Sequence, residues 1–177
     1  MKFKKLIINN LRQFKGKNEI VFSTDNEKNI TVIYGGITYG KTTLLQAFNW
    51  VLYNKLNLQN ANQLLNLEIE QEMKPTDAIE VSAEVYLEKD DDNDGNEYRF
   101  KRVQNYSMNF EGRVIPTSTF STVERKVNDM WINAGNFEDE VNKILPQNLS
   151  TYFFFDGERM DIISKEQRQG SQEVGNS

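Results

Sequence analysis

The chain has 177 residues, 38% of them hydrophobic, which is enough for one sizeable core. It contains neither cysteine nor histidine, excluding a disulfide framework, thiolate metal sites, the common zinc arrangements and histidine-based catalysis, so any acid–base chemistry falls to carboxylates. The net charge of −5 argues against a protein that coats nucleic acid over its whole surface, while leaving room for a local basic strip.

Near the N-terminus the apolar run Leu6 to Ile8 is too short for a signal peptide or a membrane span. The expectation is a cytoplasmic protein with no membrane partner. Residues Lys2 to Ile8 and Glu19 to Phe22 read as two strands joined by a polar connection containing Gly16. Asn29 to Tyr34 reads as a third, β-branched strand that runs directly into glycines. From Lys41 onward, Leu44, Leu45, Phe48, Val51 and Leu52 recur at three- and four-residue intervals, the pattern of one apolar helical face.

Further along, Ile79, Val81, Ala83, Val85 and Leu87 alternate with Glu80, Ser82, Glu84 and Tyr86, which predicts a half-buried antiparallel strand. An acidic stretch ending in the turn signal Asp94-Gly95 leads to a second extended segment, Tyr98 to Tyr106, so the two form a hairpin. Arg113 to Ile115 is a candidate further strand. Phe137 to Leu145 has helical spacing, acids in its first turn and Pro146 just beyond its end. Trp50 and Trp131 are expected to pack in the core or at an interface. No internal repeat is present, and the tail from Lys165 to Ser177 is polar.

Gly35 to Thr42 (GGITYGKT) satisfies G-x-x-x-x-G-K-[ST] between a predicted strand and a predicted helix, the context this motif requires. The spacing has a chemical reason. Gly35, Gly36 and Gly40 let the backbone wrap phosphate oxygens, and the free amides opening the helix, from Lys41 to Thr43, present donors and a favourable dipole. Lys41 would reach the β- and γ-phosphates of ATP, and Thr42 would place its hydroxyl on Mg²⁺. The alternative is a glycine-rich strand-to-helix turn with an exposed lysine.

Together with the opening strand, the segments NLRQFKG, NITVIYGG…GKTTLLQAFNWVLYNK and YFFFDGERMDIISKEQRQG resemble the SMC-like ABC ATPases of bacterial DNA metabolism. The FFFDGE segment is most similar to the DndD-type and Lamassu-type anti-phage defence branches. The resemblance implies an α/β fold: the N-terminal lobe of an ABC-type ATPase head over residues 1–163, with a mixed sheet, an antiparallel β-subdomain and flanking helices. Residues 164–177 would then begin a coiled-coil insertion. It also implies that Arg12 and Gln13 border the nucleotide, and that Asp156 stands where related heads carry a glutamine sensing Mg²⁺ and the attacking water. Asp156-Gly157 as a simple chain turn is the competing reading.

Two departures accompany the resemblance. Ile37 and Thr38 replace the usual Asn-Gly, so Thr38 and Tyr39 must make the turn without glycine's freedom. No hydrophobic run ending in Asp-Glu and no Ser-Gly-Gly segment follows, so hydrolysis would need the C-terminal half of the head. The implied partners are that half, a second head unit forming a dimer, DNA, and effector subunits of a defence system. Two other functions stay open, a nucleotide-gated clamp that turns over slowly and a small P-loop kinase.

Two weaker signals are also present. Asp90, Asp92, Asp94 and Gly95 open like a calcium loop, but its twelfth position is Lys101 rather than Glu. Arg99, Lys101 and Arg102 with Tyr98, Phe100 and Tyr106 offer a basic, aromatic strip for nucleic acid, against which a solvated hairpin is the preferred reading.

Overall fold

The computed structural model describes residues 1–56, 64–89 and 97–154. Six strands, β1 (Lys2–Asn9), β2 (Lys17–Val21), β3 (Ala78–Glu88), β4 (Glu97–Met108), β5 (Val114–Val127) and β6 (Met130–Asn133), form one sheet in the order β2-β1-β3-β4-β5-β6. Every pairing in it is antiparallel. The helices are α1 (Lys41–Tyr53), α2 (Leu67–Glu72), α3 (Phe137–Ile144) and α4 (Ser150–Phe153).

Register explains the core. Leu6 lies opposite Val85, Val85 opposite Phe100, and Phe100 opposite Val123, so one apolar row crosses four strands on a single face. All four side chains are buried. Against this face α1 lays Leu44, Ala47, Trp50, Val51 and Leu52; of the stripe that spacing predicted, Leu44, Val51 and Leu52 are buried, while Leu45 and Phe48 are only half-buried and Ala47 and Trp50 take the central places. Phe137 and Val141 of α3 join the same core, the Phe137 ring meeting Phe100 edge-on at 5.5 Å.

The opposite face is closed by charge and aromatic pairing. Tyr86 pairs across the strands with Arg99 and Arg99 with Glu124; Arg99 forms an ion pair with Glu124 and lies 5.0 Å over the Trp131 ring, which meets Tyr86 edge-on at 5.7 Å. Trp131 thus covers Tyr86, which alternation assigns to the solvent side of β3, and leaves it buried.

Two expectations need correction. Asn29 to Tyr34 is not a strand: Ile30, Val32 and Tyr34 are 80%, 83% and 99% exposed, and no described strand lies alongside to take its backbone hydrogen bonds. The strand begun at Val114 runs on to Val127, because pairing with β4 and β6 holds a Ser/Thr-rich stretch whose own alternation is weak. Phe153 closes α4, and Phe154 then packs its ring 5.4 Å from Phe48 and 5.9 Å from Phe3. The unexpected α2 is capped by Asn66, whose side chain accepts from the Ile69 amide at 3.2 Å. The Asp94-Gly95 turn, Phe155, and the boundary between residues 163 and 164 lie outside the described residues.

The C-terminus of α1 is tied in three ways. Asn54 adopts the left-handed conformation at φ 53°, its amide reaching the Trp50 carbonyl; Arg102 donates from Nε to the Val51 carbonyl at 3.1 Å; and the Tyr53 hydroxyl donates to the Leu145 carbonyl at 3.1 Å. Burial pushes the Tyr53 phenol from 10.0 up to about 12. Because the folded value is the higher one, this contribution is complete below pH 10 and is lost as pH rises through 12. Urea melts across that window should show an alkaline loss of stability that is smaller in Tyr53→Phe. Trp50→Ala, which empties the centre of the helix–sheet contact, should cost about 3–5 kcal/mol in the same measurement at neutral pH.

Candidate functional site at the start of helix α1

Immediately after β1 the chain makes a tight turn that determines what the start of α1 faces. Asn10 and Arg12 both take positive φ, 56° and 51°. The Asn10 side chain accepts from the Gly16 amide at 3.0 Å, closing the turn. Its second tie is α2's cap residue: the Asn66 amide donates to the Asn10 carbonyl at 2.9 Å, and its side-chain amide donates to the Arg12 carbonyl. The Arg12 amide donates to the Leu64 carbonyl at 2.8 Å.

Held this way, the turn points three consecutive side chains at α1. Arg12 donates to Gln46 Oε1. The Thr43 hydroxyl donates to Gln13 Oε1 at 2.7 Å. Phe14 closes on Gly40, where an added Cβ would lie 3.0 Å from two ring atoms. Gly40 also sits at φ 90°, so it is required twice, by its backbone conformation and by the approach of Phe14.

The loop itself is exposed from Gly36 to Tyr39. Lys41 Nζ donates to the Gly35 and Gly36 carbonyls at 2.6 and 2.7 Å, folding the lysine across its own loop. The first intrahelical bond runs from the Leu44 amide to the Gly40 carbonyl, so the amides of Lys41, Thr42 and Thr43 have no acceptor within the helix. No side chain caps this end and no acid lies in its first turn. A 13-residue helix therefore opens toward the loop with its positive end uncompensated, which is the arrangement that receives phosphate.

Each residue singled out from sequence can now be placed. Gly35, Gly36, Gly40, Lys41, Thr42 and Thr43 come together at one helix start, with Arg12 and Gln13 beside them. Thr42 is exposed and its hydroxyl is open to a ligand; Thr43 is buried with its hydroxyl on Gln13, so only its amide faces the loop. Thr38 is at φ 72°, the strain that loss of glycine predicts there. Among the described residues no three acids cluster to hold a metal, and the site's own oxygen for Mg²⁺ is Thr42, a donor set that suits an ion keeping several waters and phosphate oxygens. Asp156 lies outside the described residues.

The basic strip does not form. Arg99 is paired with Glu124, Lys101 lies 3.5 Å from both Glu80 and Glu84, and Arg102, Phe100 and Tyr106 are buried. Strand alternation sends neighbouring residues to opposite faces, so a run of cations in sequence is not a patch in space. The calcium-loop candidate falls outside the described residues except for Lys101, which is in β4.

Sequence reasoning missed Gln46, Phe14 and Asn66. Gln46 sits three residues after Thr43 on the same side of α1, a spacing that signals a shared partner. Asn66 before Leu67-Glu68 is a readable cap, but its bonds to Asn10 and Arg12 span residues far apart in sequence.

A helix whose bare N-terminus follows a glycine loop with an inward-folded lysine, on an α/β scaffold, defines a P-loop nucleotide-binding domain. A model of the AAA domain family matches residues 5–174, and the chain belongs to that family. It is an AAA-type ATPase domain of the SMC-like kind, with the fold of such an ATPase's N-terminal lobe. Comparison with curated proteins finds no match.

Two substitutions test the loop's geometry. Gly40→Ala should destabilise by about 1–3 kcal/mol, because it combines a positive φ with the Phe14 contact. Thr38→Gly should gain up to about 1 kcal/mol by removing left-handed strain. Denaturant midpoints of the two variants against the parent chain measure both.

Proposed function

We propose that this chain is the ATP-binding half of an SMC-like ABC ATPase head acting in DNA metabolism, within an anti-phage defence or DNA-modification-linked restriction system of the DndD or Lamassu type. The observation that carries the nucleotide reading is the start of α1, where three acceptorless amides, the Lys41 ammonium and the Thr42 hydroxyl converge with no acid among them. The defence assignment rests on the FFFDGE resemblance.

In this reading the amides of Lys41 to Thr43 hold the β-phosphate, and Lys41 exchanges its loop carbonyls for phosphate oxygens. Arg12 and Gln13 fix the helix start through Gln46 and Thr43 while bordering the nucleotide. Thr42, joined by Asp156, holds Mg²⁺, which supplies charge neutralisation at the terminal phosphate. The C-terminal half of the head is the expected partner for Ile30, Val32 and Tyr34, whose β-branched and aromatic side chains suit a covered strand. A second head unit, DNA and effector subunits complete the assembly, in the cytoplasm.

A second reading, a nucleotide-gated clamp with little turnover, is favoured by one feature. Thr38 is strained, and the Tyr39 ring packs against Gly36, 3.0 Å from where a Cβ would lie. The Tyr39 contact holds the loop folded on itself, while the strain at Thr38 raises the energy of that form.

The test is equilibrium binding of ATP with Mg²⁺ to the protein and to Lys41→Ala, beside hydrolysis by the intact protein with and without DNA. Loss of at least tenfold in affinity in Lys41→Ala, with DNA-stimulated turnover, is the expected result. Binding with negligible turnover would favour the clamp, and binding indifferent to Lys41→Ala would overturn the assignment of the loop.

A further inference from the structure

At the end of α1 away from the phosphate loop lies a cavity. Arg102 forms part of its wall and is only 7% exposed. Its Nε is taken by the Val51 carbonyl, and its guanidinium carbon stands 5.1 Å from the centre of the Phe137 ring. These contacts occupy one nitrogen and one face of the group. Among the described residues the two terminal nitrogens make no hydrogen bond or ion pair, yet they are not sealed away as buried unsatisfied atoms. Arg102 lines the cavity together with Tyr53, Asn54, Glu138, Asn142 and Gln147.

A buried guanidinium with open donors is an expensive arrangement unless an acceptor meets it, and its planar fork matches a carboxylate in two parallel bonds. The rim asks for something different. Glu138 is exposed, attracts Arg102 without forming an ion pair with it, and can only accept. It would repel a simple anion entering toward Arg102. A ligand that satisfies both ends carries a carboxylate at one end and a protonated amine at the other. Between the two ends, Asn142 and Gln147 offer side-chain amides that donate to no other group among the described residues. The volume, about 130 Å³, corresponds to roughly four water molecules, the scale of a small amino acid.

We propose that this cavity binds a small zwitterion of the α-amino-acid class, its carboxylate on the Arg102 terminal nitrogens and its ammonium on Glu138. The site shares α1 with the phosphate loop but none of that loop's residues, so its occupancy does not depend on nucleotide.

Titration calorimetry with glycine and alanine, beside acetate and methylamine as single-ended probes, tests this on the protein and on Lys41→Ala. Saturable binding of the amino acids is expected in both, with acetate and methylamine at least tenfold weaker. Glu138→Gln changes an exposed side chain, so the fold is retained; it should weaken amino-acid binding at least tenfold without weakening acetate. Arg102→Lys keeps the charge but loses the fork, and should weaken both. Absence of saturable amino-acid binding, acetate binding as tightly as glycine, or indifference to Glu138→Gln would overturn the proposal and leave a solvated cavity.

Discussion

The structure depends on the seating of α1 against the apolar face of the antiparallel sheet. Trp50, Val51 and Ala47 are buried there against a row that runs from Leu6 through Val85 and Phe100 to Val123. Burial of this kind supplies most of the stability of a small domain, since a helix of this length has little of its own in water. It also places the phosphate loop, because the loop has no regular structure and takes its position from the helix that follows it.

Both ends of that helix are tied to parts of the chain distant in sequence. At the start, the turn after β1 sets Arg12, Gln13 and Phe14 against Gln46, Thr43 and Gly40, and the turn is itself fastened by Asn66 ahead of α2. At the far end, Arg102 of β4 holds the Val51 carbonyl and Tyr53 holds the carbonyl of Leu145 beyond α3. A ligand at the phosphate loop therefore meets a helix that is already oriented, so little ordering has to accompany binding. Phe154 extends the same logic to the FFF segment, whose ring contacts with Phe3 and Phe48 seat it beside the helix and β1.

The sheet's outer face shows how a strongly charged chain avoids a strongly charged surface. Lys4 pairs with Glu97, Lys5 with Glu19, Arg99 with Glu124 and Lys101 with both Glu80 and Glu84. Cross-strand pairing of this sort contributes little stability per pair but sets register and suppresses a continuous basic stripe. The DNA contacts required by the proposed function consequently have no basis on this face, and would come from elsewhere in the assembly.

The sequence by itself determined α1, the glycine loop and its motif, β1 to β4, and α3, because each is specified by local rules: apolar periodicity, capping and turn residues, and a fixed G-x-x-x-x-G-K-T spacing. It also foretold the conformational stress at Thr38, since the loss of glycine there is visible in the residue alone. Tertiary structure alone decided the rest. Asn29 to Tyr34 has strand composition but no strand, and Pro116 to Val127 lacks clear alternation yet forms most of β5, because strand formation is settled by whether a neighbour exists to share hydrogen bonds. The same holds for charge: Arg99, Lys101 and Arg102 are adjacent in sequence, but pleating divides them between two faces and only packing reveals which one is buried with its donors open.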